Sequence, residues 1–194
     1  MTIERDRVSI SLPTAAPRQL AHTREVTFHG YRRDDGLWDI EGHLRDTKPV
    51  PFTIPNERTW EANEPMHDMH IRLTVDTQLV IRDIAVAMHK VPHAGCPEAA
   101  LPMHKMIGCT LGAGWRRAIE ENLGNEKGCT HLRELLFNMA TAAFQSVTGT
   151  FANRNTDQPP PHLGRCMAWG FNSPLVERLH PVFFKWPDKA KTVK

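Results

Sequence analysis

The spacing of apolar residues changes period near residue 90, and this change constrains the fold more than any other feature of the chain. Before it, Met69, Ile71, Leu73 and Val75 alternate with His70, Arg72, Thr74 and Asp76, so each set takes one face of a strand. After it, Leu132, Leu135, Leu136, Met139 and Ala143 recur at helical spacing. Strands first and helices after predict an α+β class: an antiparallel sheet of two consecutive hairpins followed by a helical C-terminal half.

The first hairpin runs from Val26 and Phe28 through the turn at Asp34-Asp35-Gly36, whose Asp-Gly pair suits positive φ. Trp38, Ile40 and Leu44 share one parity on its return strand. Residues 47–65 contain four prolines and read as an irregular excursion. The second hairpin pairs the strand through Met69–Val75 with a return from Leu79 to Met88. Cys96-Pro97 reads as a helix entry that Pro102 keeps short or broken. Leu111, Trp115, Ala118, Ile119 and Leu123 predict a helix stopped at Gly124, and the next helix ends before Gly149. Residues 150–165 read as irregular, and the last thirty as a segment packed across the surface. The organisation expected is a flexible tail over 1–23, a single α+β domain over 24–186 and a basic tail over 187–194.

Charge excludes one class of partner. Twenty-four Lys+Arg against 22 Asp+Glu give a net charge of +2, without the basic footprint of a dedicated nucleic-acid binder. No apolar run has the length of a membrane helix, and the first 24 residues lack the apolar core of a signal peptide. These readings predict a cytoplasmic protein with a small-molecule substrate and with neither nucleic acid nor membrane as partner. The sequence does not fix the oligomeric state.

Eleven His and four Cys remain, and no two Cys form a C-x-x-C pair of zinc-ribbon type. The string from Gly128 to Leu135 (Gly-Cys-Thr-His-Leu-Arg-Glu-Leu) sets Cys129 and His131 two residues apart at a helix start. Unpaired N–H groups there favour thiolate. Cys96 begins a second predicted helix, and two thiols with one imidazole suit zinc or iron. His67 is the candidate fourth ligand, because it shares the core-facing parity of Met69 and Ile71. Glu134, three residues beyond His131, and Asp68, beside His67, are candidate proton carriers. Arg32 at the first turn is a candidate for binding a substrate carboxylate. In a metal-free variant, Cys129 is a nucleophile activated by His131 or a neighbouring His. Cys109 and Cys166 read as packed thiols.

Residues 31–42, His67-Asp68-Met69, residues 73–76 and the Cys-Thr-His-Leu string together resemble a bacterial family catalogued as domain of unknown function 2889. The resemblance spans about residues 24–146 and includes a Cys at position 96. It implies that His67, Cys96, Cys129 and His131 act as a group, and it brings no reaction with it. An association with bacteria that degrade aromatic compounds implies a lyase or hydrolase of aromatic catabolism. The arrangement is also similar, at the level of fold, to iron–sulfur scaffold proteins, from which the chain departs in spacing and in its long first hairpin.

Three functions follow as expectations. The first is a small metal-dependent enzyme, with zinc or iron, acting on a small organic substrate. The second is a carrier or scaffold for sulfur or an iron–sulfur cluster. The third is a metal-free ligand-binding module whose cysteines are core.

Overall fold

A computed structural model describes residues 11–147 and 158–186. The chain divides into two units, Met1–Thr148 and Gly149–Lys194. The class is α+β, as the change of period predicts.

In the first unit, β1 (Thr23–Arg32), β2 (Trp38–Thr47), β5 (His67–Val75) and β6 (Ile81–Lys90) form one antiparallel sheet in the order β1-β2-β5-β6. The two predicted hairpins are its two halves, joined where β2 pairs with β5. Gly36 adopts φ 85° in the first turn, which its missing Cβ permits. The second turn is held by Asp76, whose carboxylate accepts from the N–H groups of Gln78 and Val80 and from Arg82. The proline-rich excursion carries a two-residue ribbon, β3 (Phe52–Thr53) with β4 (Thr59–Trp60), in which Phe52 stacks on the buried Trp60. Alternation over so few residues leaves no periodic signal, so the ribbon is invisible in the sequence.

One face of the sheet is the core. Ile40 and Leu44 of β2, Met69, Ile71 and Leu73 of β5, and Ile81 of β6 are all fully or almost fully buried there. A 3-10 helix (Cys96–Met106) follows β6, and Pro102 inside it accounts for the tighter winding in place of an α-helix. Next come α1 (Trp115–Leu123) and α2 (Thr130–Val147). Leu111, expected inside α1, lies before it, buried and paired by its N–H to Leu79. The residues predicted for the inner stripe of α2 are buried: Leu132, Leu135, Leu136, Met139 and Ala143. This helix lies over β1 and β2 and reaches β5.

The close approach of α2 to β1 depends on Gly30. A Cβ at that position would lie 1.9 Å from Oγ and 2.6 Å from Cβ of Ser146. The hydroxyl can rotate away, but the Cβ is fixed to the helix backbone. Gly30→Ala is therefore expected to cost about 1–3 kcal/mol through overpacking. Adding Ser146→Gly should relieve most of that cost. Denaturant unfolding of the two single variants and the double variant checks it, since purely additive losses would mean the clash is absent.

The second unit has its own small core of Leu163, Val176 and Phe183, bordered by Trp169, Phe171 and Trp186. Its helix α3 (Pro174–Leu179) is capped by Ser173, whose hydroxyl accepts from the N–H of Val176. The tails predicted at 1–23 and 187–194, and the irregular stretch at 150–165, fall wholly or partly outside the described residues.

Candidate functional site

The antiparallel register places Asp46 of β2 opposite His67 of β5. Both side chains point to the core face, Asp46 continuing the parity of Ile40 and Leu44. Burying a carboxylate on that parity is strongly unfavourable unless it is paired. Arg24, opposite Asp46 on β1, supplies the pairing. Its Nε donates to Oδ1 and its Nη2 to Oδ2 of Asp46, each at 2.8 Å, a two-pronged geometry that favours arginine over lysine. His22 meets Oδ1 at 3.1 Å. Nδ1 of His67 meets Oδ2 at 2.9 Å. Asp46 is thus surrounded by donors while its side chain is 1% exposed.

The start of α2 brings in the remaining groups. The His131 ring lies over that of His67, with centroids 3.9 Å apart, and its Nε2 is 3.9 Å from Oδ2 of Asp46. Its other nitrogen, Nδ1, is 3.7 Å from Sγ of Cys129. Glu134, one turn further along, accepts from Nη1 of Arg24. Arg24 therefore ties the sheet carboxylate to the helix carboxylate and fixes where α2 begins relative to the strand ends.

The surroundings set the charge of each group. Burial raises the Asp46 carboxyl, but the Arg24 guanidinium and then His67 outweigh it and hold the pKa below the usual range. Burial lowers the His67 imidazole, helped by His131 and opposed by Asp46, so neutral His67 is favoured. Burial also opposes ionisation of Cys129, yet the contact with His131 and the N–H groups of Leu132 and His131 bring its pKa down overall. The site is a buried carboxylate flanked by two imidazoles, with a thiol disposed to ionise behind one of them.

Of the residues expected to act together, the structure gathers His67, Cys129 and His131. Cys96 begins the 3-10 helix. Among the described residues, the sets of three or more side chains with potential ligand atoms all within 4.8 Å are Asp46–His67–His131 and His43–Asp68–His70. Neither set includes Cys96 or any other cysteine. Asp68 follows His67 directly in β5, so the strand pleat sends it to the opposite face, where it meets His43 and His70. Arg32 ends β1, eight residues from Arg24, or roughly 26 Å along an extended strand. It lines a shallow surface recess with Arg33, Asp34 and Asp35.

Asp46, Arg24 and His22 carry no local motif in the sequence. A signal does exist for Asp46, because a charged residue on the inward parity of a half-buried strand must find a counter-charge. Nothing local identifies Arg24 as that partner. The contact arises from cross-strand register and joins residues 22 positions apart.

Among known protein families, the family model "Protein of unknown function (DUF2889)" matches residues 22–145. That span runs from His22 almost to the end of α2 and contains every residue of the site. No curated protein and no solved structure matches the chain.

Proposed function

The chain belongs to the DUF2889 family of proteins of unknown function, and we propose from its own geometry that it is a metal-dependent enzyme, using zinc or iron, that acts on a small organic substrate. The observation that carries the proposal is the convergence of Asp46, His67 and His131, whose ligand atoms all lie within 4.8 Å of one another. One carboxylate oxygen with two imidazole nitrogens is the donor set of many zinc and non-haem iron sites, and it leaves further coordination positions open.

The separations are near those of such a centre, in which the ion would replace the proton between His67 and Asp46. Oδ2 of Asp46 is 2.9 Å from Nδ1 of His67 and 3.9 Å from Nε2 of His131. These values bracket the roughly 3–3.4 Å expected between two atoms that each sit about 2.1 Å from one ion. The surrounding contacts orient the donors. Arg24 holds both oxygens of Asp46 and His22 holds Oδ1, so an ion would take the remaining lone pair of Oδ2. With Nδ1–H of His131 donating to Sγ of Cys129, the lone pair of that ring lies on Nε2, facing the carboxylate.

The metal would polarise a substrate oxygen or lower the pKa of a bound water, as hydrolytic and lyase chemistry requires. His131, 23% exposed, marks the side open to solvent. Glu134, 46% exposed, one turn beyond His131 and held by Arg24, is the carboxylate that would carry a proton there. Metal analysis of tag-free protein tests the reading. About one equivalent of zinc or iron bound at this centre is expected. Less than about a tenth of an equivalent in both aerobic and anaerobic preparations overturns it, since sites of this kind hold their ion tightly.

The 3.7 Å contact of Cys129 with His131 favours a second, metal-free reading in which Cys129 is the nucleophile. That reading requires iodoacetamide to modify Cys129 ahead of the exposed Cys166, and His131→Ala to abolish the preference. Equal labelling of the two thiols counts against it.

A further inference from the structure

The sheet face opposite the helices carries a second constellation, built by the same register. His43 of β2 lies directly opposite His70 of β5. Asp68 precedes His70 by two residues and so shares its face. Directly opposed side chains in an antiparallel pair stand close enough to touch, and the two rings stack with centroids 3.9 Å apart at 11°. Nε2 of His43 is 3.0 Å and Nε2 of His70 is 3.1 Å from one and the same atom, Oδ1 of Asp68. A third strand adds His89, whose ring stands edge-on to that of His70 at 5.1 Å.

We propose that His43, Asp68 and His70 form a second metal site, specific for a divalent transition ion such as zinc, nickel or cobalt. It is separate from the Asp46 centre, because neighbouring residues of β5 point to opposite faces.

Three features support the proposal. Each nitrogen already stands 3.0–3.1 Å from the shared oxygen, all three atoms lie within 4.8 Å of one another, and tilting the two stacked rings so that their lone pairs converge would complete the set. Imidazole donors select borderline transition ions over calcium and magnesium, which prefer all-oxygen cages. Among the described residues, the ion pairs of Asp68 are with the two imidazoles, so an ion there has no guanidinium fork to displace such as Arg24 makes on Asp46. His70 and His89 also line a groove of about 290 Å³, together with Glu41, Arg72, Ala85 and Ala87. The two alanines on β6 keep that groove open beside the ion. The three ligands are 23–43% exposed, which leaves room for water or a small anionic ligand to complete the coordination.

The test is a zinc titration, by calorimetry, of chelator-treated full-length protein without a histidine tag. The double variant His43→Gln/His70→Gln should bind one equivalent fewer than the wild type. Asp46→Asn should retain that equivalent and lose the other. If the double variant binds zinc with the stoichiometry and affinity of the wild type, the second site does not exist. A single equivalent lost only in Asp46→Asn likewise overturns the second site, whereas a single equivalent lost only in the double variant upholds it and removes the one proposed above. Cobalt added to the wild type gives a readout free of variants. The ring signals of His43 and His70 should broaden in the NMR spectrum as cobalt fills the site, and unaffected rings overturn the proposal.

Discussion

Asp46→Ala is expected to abolish metal binding at the helix-side centre and to destabilise the fold by about 2–4 kcal/mol. The range starts from the roughly 3–5 kcal/mol typical of breaking a buried ion pair from one side. It is lowered because Arg24 is 33% exposed and regains some water when its partner leaves. Two further groups lose an acceptor in the variant, His67 at 2.9 Å and His22 at 3.1 Å. Asp46→Asn separates charge from shape. The amide keeps the volume and one acceptor oxygen but presents an NH2 group to one prong of the Arg24 fork. It should therefore fold better than the alanine variant while still failing to hold the ion. Unfolding curves and metal content measured on both variants check the pair. An asparagine variant that keeps a full equivalent of metal at this centre would show that Asp46 is a structural partner of Arg24 and no ligand. An alanine variant of wild-type stability would show that the Arg24 fork contributes little.

The fold can be read from the sequence where periodicity is long and uninterrupted. Met69 to Val75 and Leu132 to Ala143 each span enough residues for alternation or helical recurrence to stand out, and both elements take the predicted faces. The ribbon at Phe52 and Trp60 is too short for that, and the tight winding of Cys96–Met106 reflects Pro102, whose effect on a helix is known in kind but not in extent. The site divides along the same line. Cys129 and His131 stand out because they are close in sequence at a helix start, and His67 because its parity points inward. Arg24 and Asp46 are joined by register alone. His43, Asp68 and His70 illustrate the same limit, since a histidine pair across two strands has no signature in either strand. Local chemistry can be read along the chain, whereas pairing across strands requires the register, which turn geometry and burial together determine.

Trp115→Ala is expected to cost about 3–5 kcal/mol, as is usual on emptying a large buried aromatic site. Trp115 opens α1, is 4% exposed and packs against α2. Its Nε1 donates to the carbonyl of Leu136 at 2.8 Å in a buried contact. Trp115→Phe keeps much of the apolar contact and removes this bond. It should cost less, about 1–2 kcal/mol, because the Leu136 carbonyl retains its place in the helix ladder and no donor is left stranded. The comparison also bears on function. Leu136 sits more than one turn beyond His131, so the tryptophan steadies the body of α2, whereas Arg24 and Glu134 anchor its first turn against the sheet. Trp115→Phe should accordingly lower the unfolding midpoint yet keep the wild-type metal stoichiometry, the reverse of the metal loss expected for Asp46→Asn. Thermal unfolding and metal analysis on one preparation suffice to check this. Parallel loss of metal and stability in Trp115→Phe would mean that the first turn of α2 is positioned by α1 and not by the Arg24 contacts.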